Sequence, residues 1–120
     1  MVSKGMCPIR TVFGMLGGKW KHRILLELHM GPVRYNQLAQ SIGSISYKVL
    51  TQQLRELEED GLISRTVYPE VPPRVEYALT EMGESVFVVF REIRRWGLAE
   101  DTVHEPVCSG CMQCRGPEPD

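Results

Sequence analysis

Two sets of side chains in this sequence have the types and spacing to do chemistry, and the cysteines form the first. Cys108, Cys111 and Cys114 follow one another at two-residue gaps, while Cys7 stands alone near the start of the chain. Such gaps let successive thiolates turn toward one centre, as in zinc knuckles and in the first three ligands of a bacterial ferredoxin cluster. The run supplies three ligands and needs a fourth. His104 can complete a zinc tetrahedron from just upstream, Cys7 can complete a site across the fold or across a dimer, or an open position can mark an iron–sulfur cluster. A redox-active or metal-scavenging tail without a resident ligand fits the same residues, and the sequence leaves zinc, cluster and empty tail open.

The second set lies between Ser46 and Arg55. Tyr47, Lys48, Thr51 and Gln52, with Arg55 a turn further on, project from the side of a helix opposite Leu50, Leu54 and Leu57, which recur at i, i+4 and i+7. An α-helix fits the major groove of B-DNA, so outward groups near its N-terminus are the ones that reach base edges. Glutamine pairs in bidentate fashion with adenine, and lysine or arginine serves guanine or phosphate. Ser46 is the expected N-cap, its hydroxyl accepting from an orphan amide two or three residues on. Arg74, just after Pro72 and Pro73, is placed to bring its guanidinium to phosphate or into the minor groove, with Arg65 a secondary candidate. Arg34, Tyr35, Asn36 and Gln37 open the preceding helix, where donors to phosphate position a protein on the duplex without specifying sequence. A merely solvated amphipathic helix carries the same residue types, so the surrounding order of elements has to decide.

That order is readable. Thr11 to Leu16 is a short helical candidate closed by Gly17 and Gly18. From Lys19 to Met30, Trp20, Ile24, Leu25 and Leu28 recur at helical spacing, with Lys19, Lys21 and Arg23 expected toward solvent and Gly31-Pro32 as the stop. Tyr35 to Ile42 is a helix with Leu38, Ala39 and Ile42 inward, and Gly43 breaks it before the turn Ser44-Ile45-Ser46. The helix Ser46 to Asp60 follows, stopped by Gly61. Leu62 to Tyr68 and Arg74 to Leu79 are rich in β-branched and aromatic residues, and the intervening Pro69-Glu70-Val71-Pro72-Pro73 forms a stiff exposed tip. Thr80 caps a last helix, Glu81 to about Gly97, with the apolar stripe Val86, Val89, Phe90, Ile93 and Trp96. Helix, turn, helix and two-stranded wing define a winged helix-turn-helix: α+β, mainly α, over residues 1–98, with an irregular Cys-rich tail over 99–120.

With 120 residues, 42% of them hydrophobic, the chain fits one small domain. Such a chain buries only about two-thirds of its unfolded surface. The last helix carries more apolar surface than one core needs, and Met15 and Leu16 can join it across a two-fold axis, so a homodimer is expected. The net charge of −1 conceals an asymmetry: up to Arg55 there are 8 Lys+Arg against the single acid Glu27, and thereafter 6 against 14. A basic face can therefore sit on a near-neutral chain. No apolar run approaches the roughly 18–20 residues of a membrane span, and no secretory pattern opens the chain, so the cytoplasm is expected. There, cysteines serve as thiols or ligands more than as structural disulfides. His22, His29 and His104 belong to no recognisable catalytic motif, so no enzymatic activity is expected.

Five stretches together resemble the HxlR-type family of winged helix-turn-helix regulators, relatives of the MarR-type repressors. They are Cys7-Pro8-Ile9, Gly17-Gly18-Lys19-Trp20, Arg34-Tyr35-Asn36-Gln37-Leu38, Leu50-Thr51-Gln52-Gln53-Leu54-Arg55-Glu56-Leu57, and the wing Tyr68-Pro69-Glu70-Val71-Pro72-Pro73-Arg74-Val75-Glu76-Tyr77-Ala78-Leu79-Thr80. The resemblance covers about Cys7 to Gly97. It implies a homodimeric transcription regulator, usually a repressor, with dimer contacts from its first and last helices. Its operator would be near-palindromic, with half-sites about one DNA turn apart, roughly 34–36 Å, or a multiple of it. It also implies a thiol at Cys7 that senses oxidants, quinones or other electrophiles, as several members carry one there.

Lys4, Arg10 and a nearby helix start would favour the reactive thiolate, although a lone cysteine also serves as a small buried hydrophobe. Modification of Cys7, or a disulfide between subunits, would turn the two reading helices out of register with the operator. The three-cysteine run lies outside the family pattern. The alternative function is a small zinc or iron–sulfur protein that uses its winged helix to dock a partner protein. DNA affinity that falls steeply with salt distinguishes the regulator from the carrier.

Overall fold

The computed structural model describes residues 7–99; Lys4, His104, Cys108, Cys111 and Cys114 lie outside them. The elements run α1 (Pro8–Leu16), α2 (Lys21–Leu28), β1 (Val33–Arg34), α3 (Tyr35–Ile42), α4 (Tyr47–Glu59), β2 (Ile63–Tyr68), β3 (Arg74–Leu79) and α5 (Glu81–Ala99). Helix α1 starts at Pro8, earlier than periodicity indicates, because proline at the first helical position has a preset φ and lacks only an N–H that would be unpaired there anyway.

The sheet has three antiparallel strands in the order β1-β3-β2, not the two expected. Strands β2 and β3 form the wing in the register Ile63↔Leu79 to Tyr68↔Arg74, and β1 adds Val33↔Tyr77 and Arg34↔Glu76 on the other side of β3. A two-residue strand has no period to display. It exists because β3 offers it an edge.

The core lies among α2, α3, α4 and the base of the sheet. Ile24, Leu25 and Leu28 of α2, Leu38 and Ile42 of α3, and Leu50, Leu54 and Leu57 of α4 are buried together with Leu62, Ile63 and Tyr77. Helix α4 is capped as its sequence demands: the Val49 amide donates to Ser46 Oγ at 3.1 Å, and Gly61 follows the helix at φ 82°. At the start of α5, Gly83 N–H donates to Thr80 Oγ1 at 3.1 Å, and the same hydroxyl donates to the Gly61 carbonyl at 2.6 Å. A Cβ on Gly83 would collide with the Leu62 carbonyl, so this first turn lies against that backbone as only glycine permits.

Lys21 corrects the sequence reading. Instead of facing solvent it is buried, its ammonium 2.8 Å from Glu56 of α4 and 3.5 Å from the Gly14 carbonyl of α1. Arg23 is half-buried, pairing with Glu27 at 3.1 Å and donating to the Ser41 carbonyl at 3.1 Å. Long cationic stems cover apolar surface while their heads find acceptors, which is why α2 can turn charged positions toward its neighbours.

The chain divides into two compact units after Glu84. In the first, α1 buries none of its residues; Ile9 and Phe13 are exposed, Met15 and Leu16 half-buried. In the second, α5 exposes Val88, Val89, Ile93, Trp96 and Leu98, leaves Val86 and Phe90 half-buried, and sets Phe87 edge-on to Phe90 at 5.3 Å.

Lys21→Ala is expected to lower the unfolding free energy by about 1–2 kcal/mol, and Lys21→Met, which keeps the packed stem, by under about 1 kcal/mol, as read by urea denaturation. The Gln52 hydrogen bond, and then Lys21, hold the Glu56 carboxyl below its ordinary value of 4.5. The folded state therefore takes up this proton less readily than the unfolded chain. The stabilisation is present above a pH of about 4.5 and lost as pH falls through the lowered value. Wild type and Glu56→Gln should accordingly converge in stability on acidification.

Candidate nucleic-acid interface

Burial of Leu50, Leu54 and Leu57 sets the rotation of α4, so the residues between them face out. Tyr47 is 66% exposed, and Lys48, Thr51, Gln52 and Arg55 are exposed beside it. Lys48 and Arg55 have no ion-pair partner among the described residues, so their charges are directed at solvent.

Tyr35 and Thr51, both anticipated as DNA contacts, are joined to each other. The Tyr35 hydroxyl lies 2.8 Å from Thr51 Oγ1 and donates to the Tyr47 carbonyl at 3.3 Å. Its ring stacks on Tyr47 with centroids 6.0 Å apart and meets Tyr77 at 6.5 Å. The first residue of α3 thus braces the first turn of α4. Gln52 Nε2 donates to Glu56 Oε2 at 2.8 Å, an i,i+4 pair along α4.

The wing holds its arginine firmly. The Arg74 guanidinium lies 4.0 Å over the Tyr68 ring and pairs with Glu70 at 3.1 Å and Glu76 at 3.6 Å. The charge anticipated for phosphate is thus already compensated within the wing, because an i,i+4 acid and a strand neighbour flank it. Between α3, α4 and the sheet lies a groove of about 860 Å³, whose lining includes Arg34, Arg55, Arg65 and Arg74 against Glu58 and Glu70. Arg34 is exposed at the N-cap position of α3. Burial pushes the Tyr77 hydroxyl above its usual range, against the opposing pull of Arg65, so it stays a neutral phenol.

Cys7 is exposed at the N-cap position of α1, and its side chain makes no cap hydrogen bond. Among the described residues no group of three or more His, Cys, Asp or Glu is arranged to hold a metal ion. The anticipated ligands His104, Cys108, Cys111 and Cys114 fall outside those residues. No helix among the described residues is long and apolar enough to cross a membrane. Sequence reasoning passed over Glu56: its i,i+4 spacing to Gln52 was visible, but its pairing with Lys21 depends on how α2 meets α4.

The family described as HxlR-like helix-turn-helix matches residues 15–104. An uncharacterized HTH-type transcriptional regulator of Methanothermobacter thermautotrophicus is 46% identical over 92 residues, which span 77% of this chain and 70% of that protein. Among solved structures, the redox regulator HypR in its oxidized form is 37% identical with a TM-score of 0.72, covering 83% of this chain and 100% of that one. The reduced form of the transcriptional regulator YodB from Bacillus subtilis is 38% identical with a TM-score of 0.73, covering 84% and 97%. YodB also matches in diamide-treated and quinone-bound forms, at TM-scores of 0.67 and 0.70.

Tyr35→Phe keeps the aromatic stack and removes the hydroxyl, so it should cost about 0.5–1.5 kcal/mol. Faster amide hydrogen exchange confined to the first turn of α4 is the accompanying signature.

Proposed function

The chain belongs to the HxlR-like helix-turn-helix family, whose members are transcriptional regulators and not enzymes, and from that premise we propose a homodimeric, sequence-specific repressor acting on DNA in the cytoplasm. The observation that carries this reading is the outward face of α4, where uncompensated Lys48 and Arg55 flank the hydrogen-bonding groups of Thr51 and Gln52. Helix α4 enters the major groove, Ser46 and Tyr47 bring its N-terminus to the backbone, and Arg34 supplies charge from the start of α3. Arg74, stacked on Tyr68, approaches the backbone as the stiff tip of the wing. A second copy covers Ile9, Phe13, Met15 and Leu16 of α1 and Val86, Val89, Phe90, Ile93 and Trp96 of α5, and the two-fold axis makes the operator near-palindromic.

Cys7 is the proposed switch. Its exposure at a helix start supports this, as does likeness to a redox regulator and to a regulator solved in diamide-treated and quinone-bound forms. Two Cys7 thiols, one from each protomer, lose two protons and two electrons to an oxidant such as diamide and form one S–S bond; a quinone instead takes the thiolate by addition. Either product alters the relation of the two α4 helices and releases the operator.

Titration of the protein against duplex from upstream of its own coding region tests the reading. Affinity should fall steeply as salt rises, and Lys48→Ala should reduce the salt slope by about one phosphate contact. Arg74→Ala should reduce it less, since Glu70 and Glu76 already offset that charge. Cys7→Ser should bind DNA as wild type does but resist release by diamide or quinone; unchanged release rejects the switch.

A further inference from the structure

Glu56 links the buried side of α4 to its outward face. One carboxylate oxygen meets the Lys21 ammonium at 2.8 Å and the other accepts from the Gln52 amide at 2.8 Å. The Lys21 side chain is 9% exposed and that of Glu56 37%, so the cation is anchored inside and the anion reaches outward from it. Lys21 also lies 3.5 Å from the Gly14 carbonyl.

An ionised carboxylate only accepts hydrogen bonds, so only the NH₂ end of Gln52 can face it. The orientation of the amide is thereby set by chemistry, where an exposed glutamine is ordinarily free to flip. One Nε2 hydrogen is committed to Glu56. The other, together with Oε1, has no partner among the described residues and is available beyond the helix.

One donor beside one acceptor is the complement of adenine in the major groove, which presents N7 as acceptor and its N6 amine as donor. Guanine presents two acceptors, N7 and O6. A free glutamine can turn both amide hydrogens toward guanine. One held by Glu56 sets its own oxygen against guanine O6. We propose that Glu56, anchored by buried Lys21, is a positioning residue that makes Gln52 read adenine over guanine. The inference rests on the reading of α4 as the major-groove helix. Glu56 itself touches no base; it acts through Gln52.

Selection from a random-sequence duplex library, followed by affinities for single-base variants of the selected duplex, provides the test. Loss of discrimination in Gln52→Ala marks the base pair that Gln52 reads, and there wild type should favour adenine over guanine about tenfold. Glu56→Gln should bring that ratio within about twofold while leaving the other positions unchanged. The double variant Lys21→Met/Glu56→Leu replaces the ion pair with apolar groups of similar volume, a change that folded proteins tolerate, and should relax the same position. An unchanged ratio in both variants, relaxation spread over every position, no position marked by Gln52→Ala, or a wild-type preference for guanine overturns the role of Glu56 while sequence-specific binding stands. Failure of the wild-type protein to enrich any sequence overturns the α4 reading itself, and this inference with it.

Discussion

The structure turns on the burial of one side of α4. Leu50, Leu54 and Leu57 are each at most 1% exposed, on a helix packed against α2 and β2. Truncating a leucine so placed costs about 2–5 kcal/mol, far more than any surface contact on the opposite side of the helix. Rotation of α4 about its axis is thus decided by the core, and the outward display of Lys48, Thr51, Gln52 and Arg55 follows. A helix roughly 100° out of phase would bury Arg55 or Gln53 without partners.

Two polar networks convert this coarse orientation into a definite one. Tyr35, at the start of α3, braces the first turn of α4 through its hydroxyl and its ring. Lys21, from α2, reaches Glu56 further along α4 and through it Gln52. One network draws its side chain from α3 and the other from α2. Hydrogen bonds of this kind add modestly to stability, about 0.5–1.5 kcal/mol each, and their larger effect is geometric.

The apolar surface left over is unevenly placed. Helix α1 exposes Ile9 and Phe13, and α5 exposes Val89, Ile93 and Trp96. Scattered exposed apolar residues are ordinary, but a helix of nine residues with none buried has little reason to hold its shape alone. Cys7 occupies the N-cap position of that same helix, its side chain making no cap hydrogen bond.

Much of the fold was legible in the residues. Spacing of Leu50, Leu54 and Leu57, the Ser46 cap, the Gly43 and Gly61 breaks and the proline-rich tip located α3, α4 and the wing closely, because local patterns carry helix phase, caps and turns. The outward set of α4 was legible for the same reason, as the complement of its apolar side. Lys21 was misread as solvated and strand β1 was missed, while the contacts of Arg74 with Tyr68, Glu70 and Glu76 were not read from the sequence. By itself the sequence determined which face of each helix is apolar, since that depends only on residue spacing along one element. Which charges are buried and which edge gains a strand were decided by the tertiary structure, because those depend on partners supplied by residues far away in the chain.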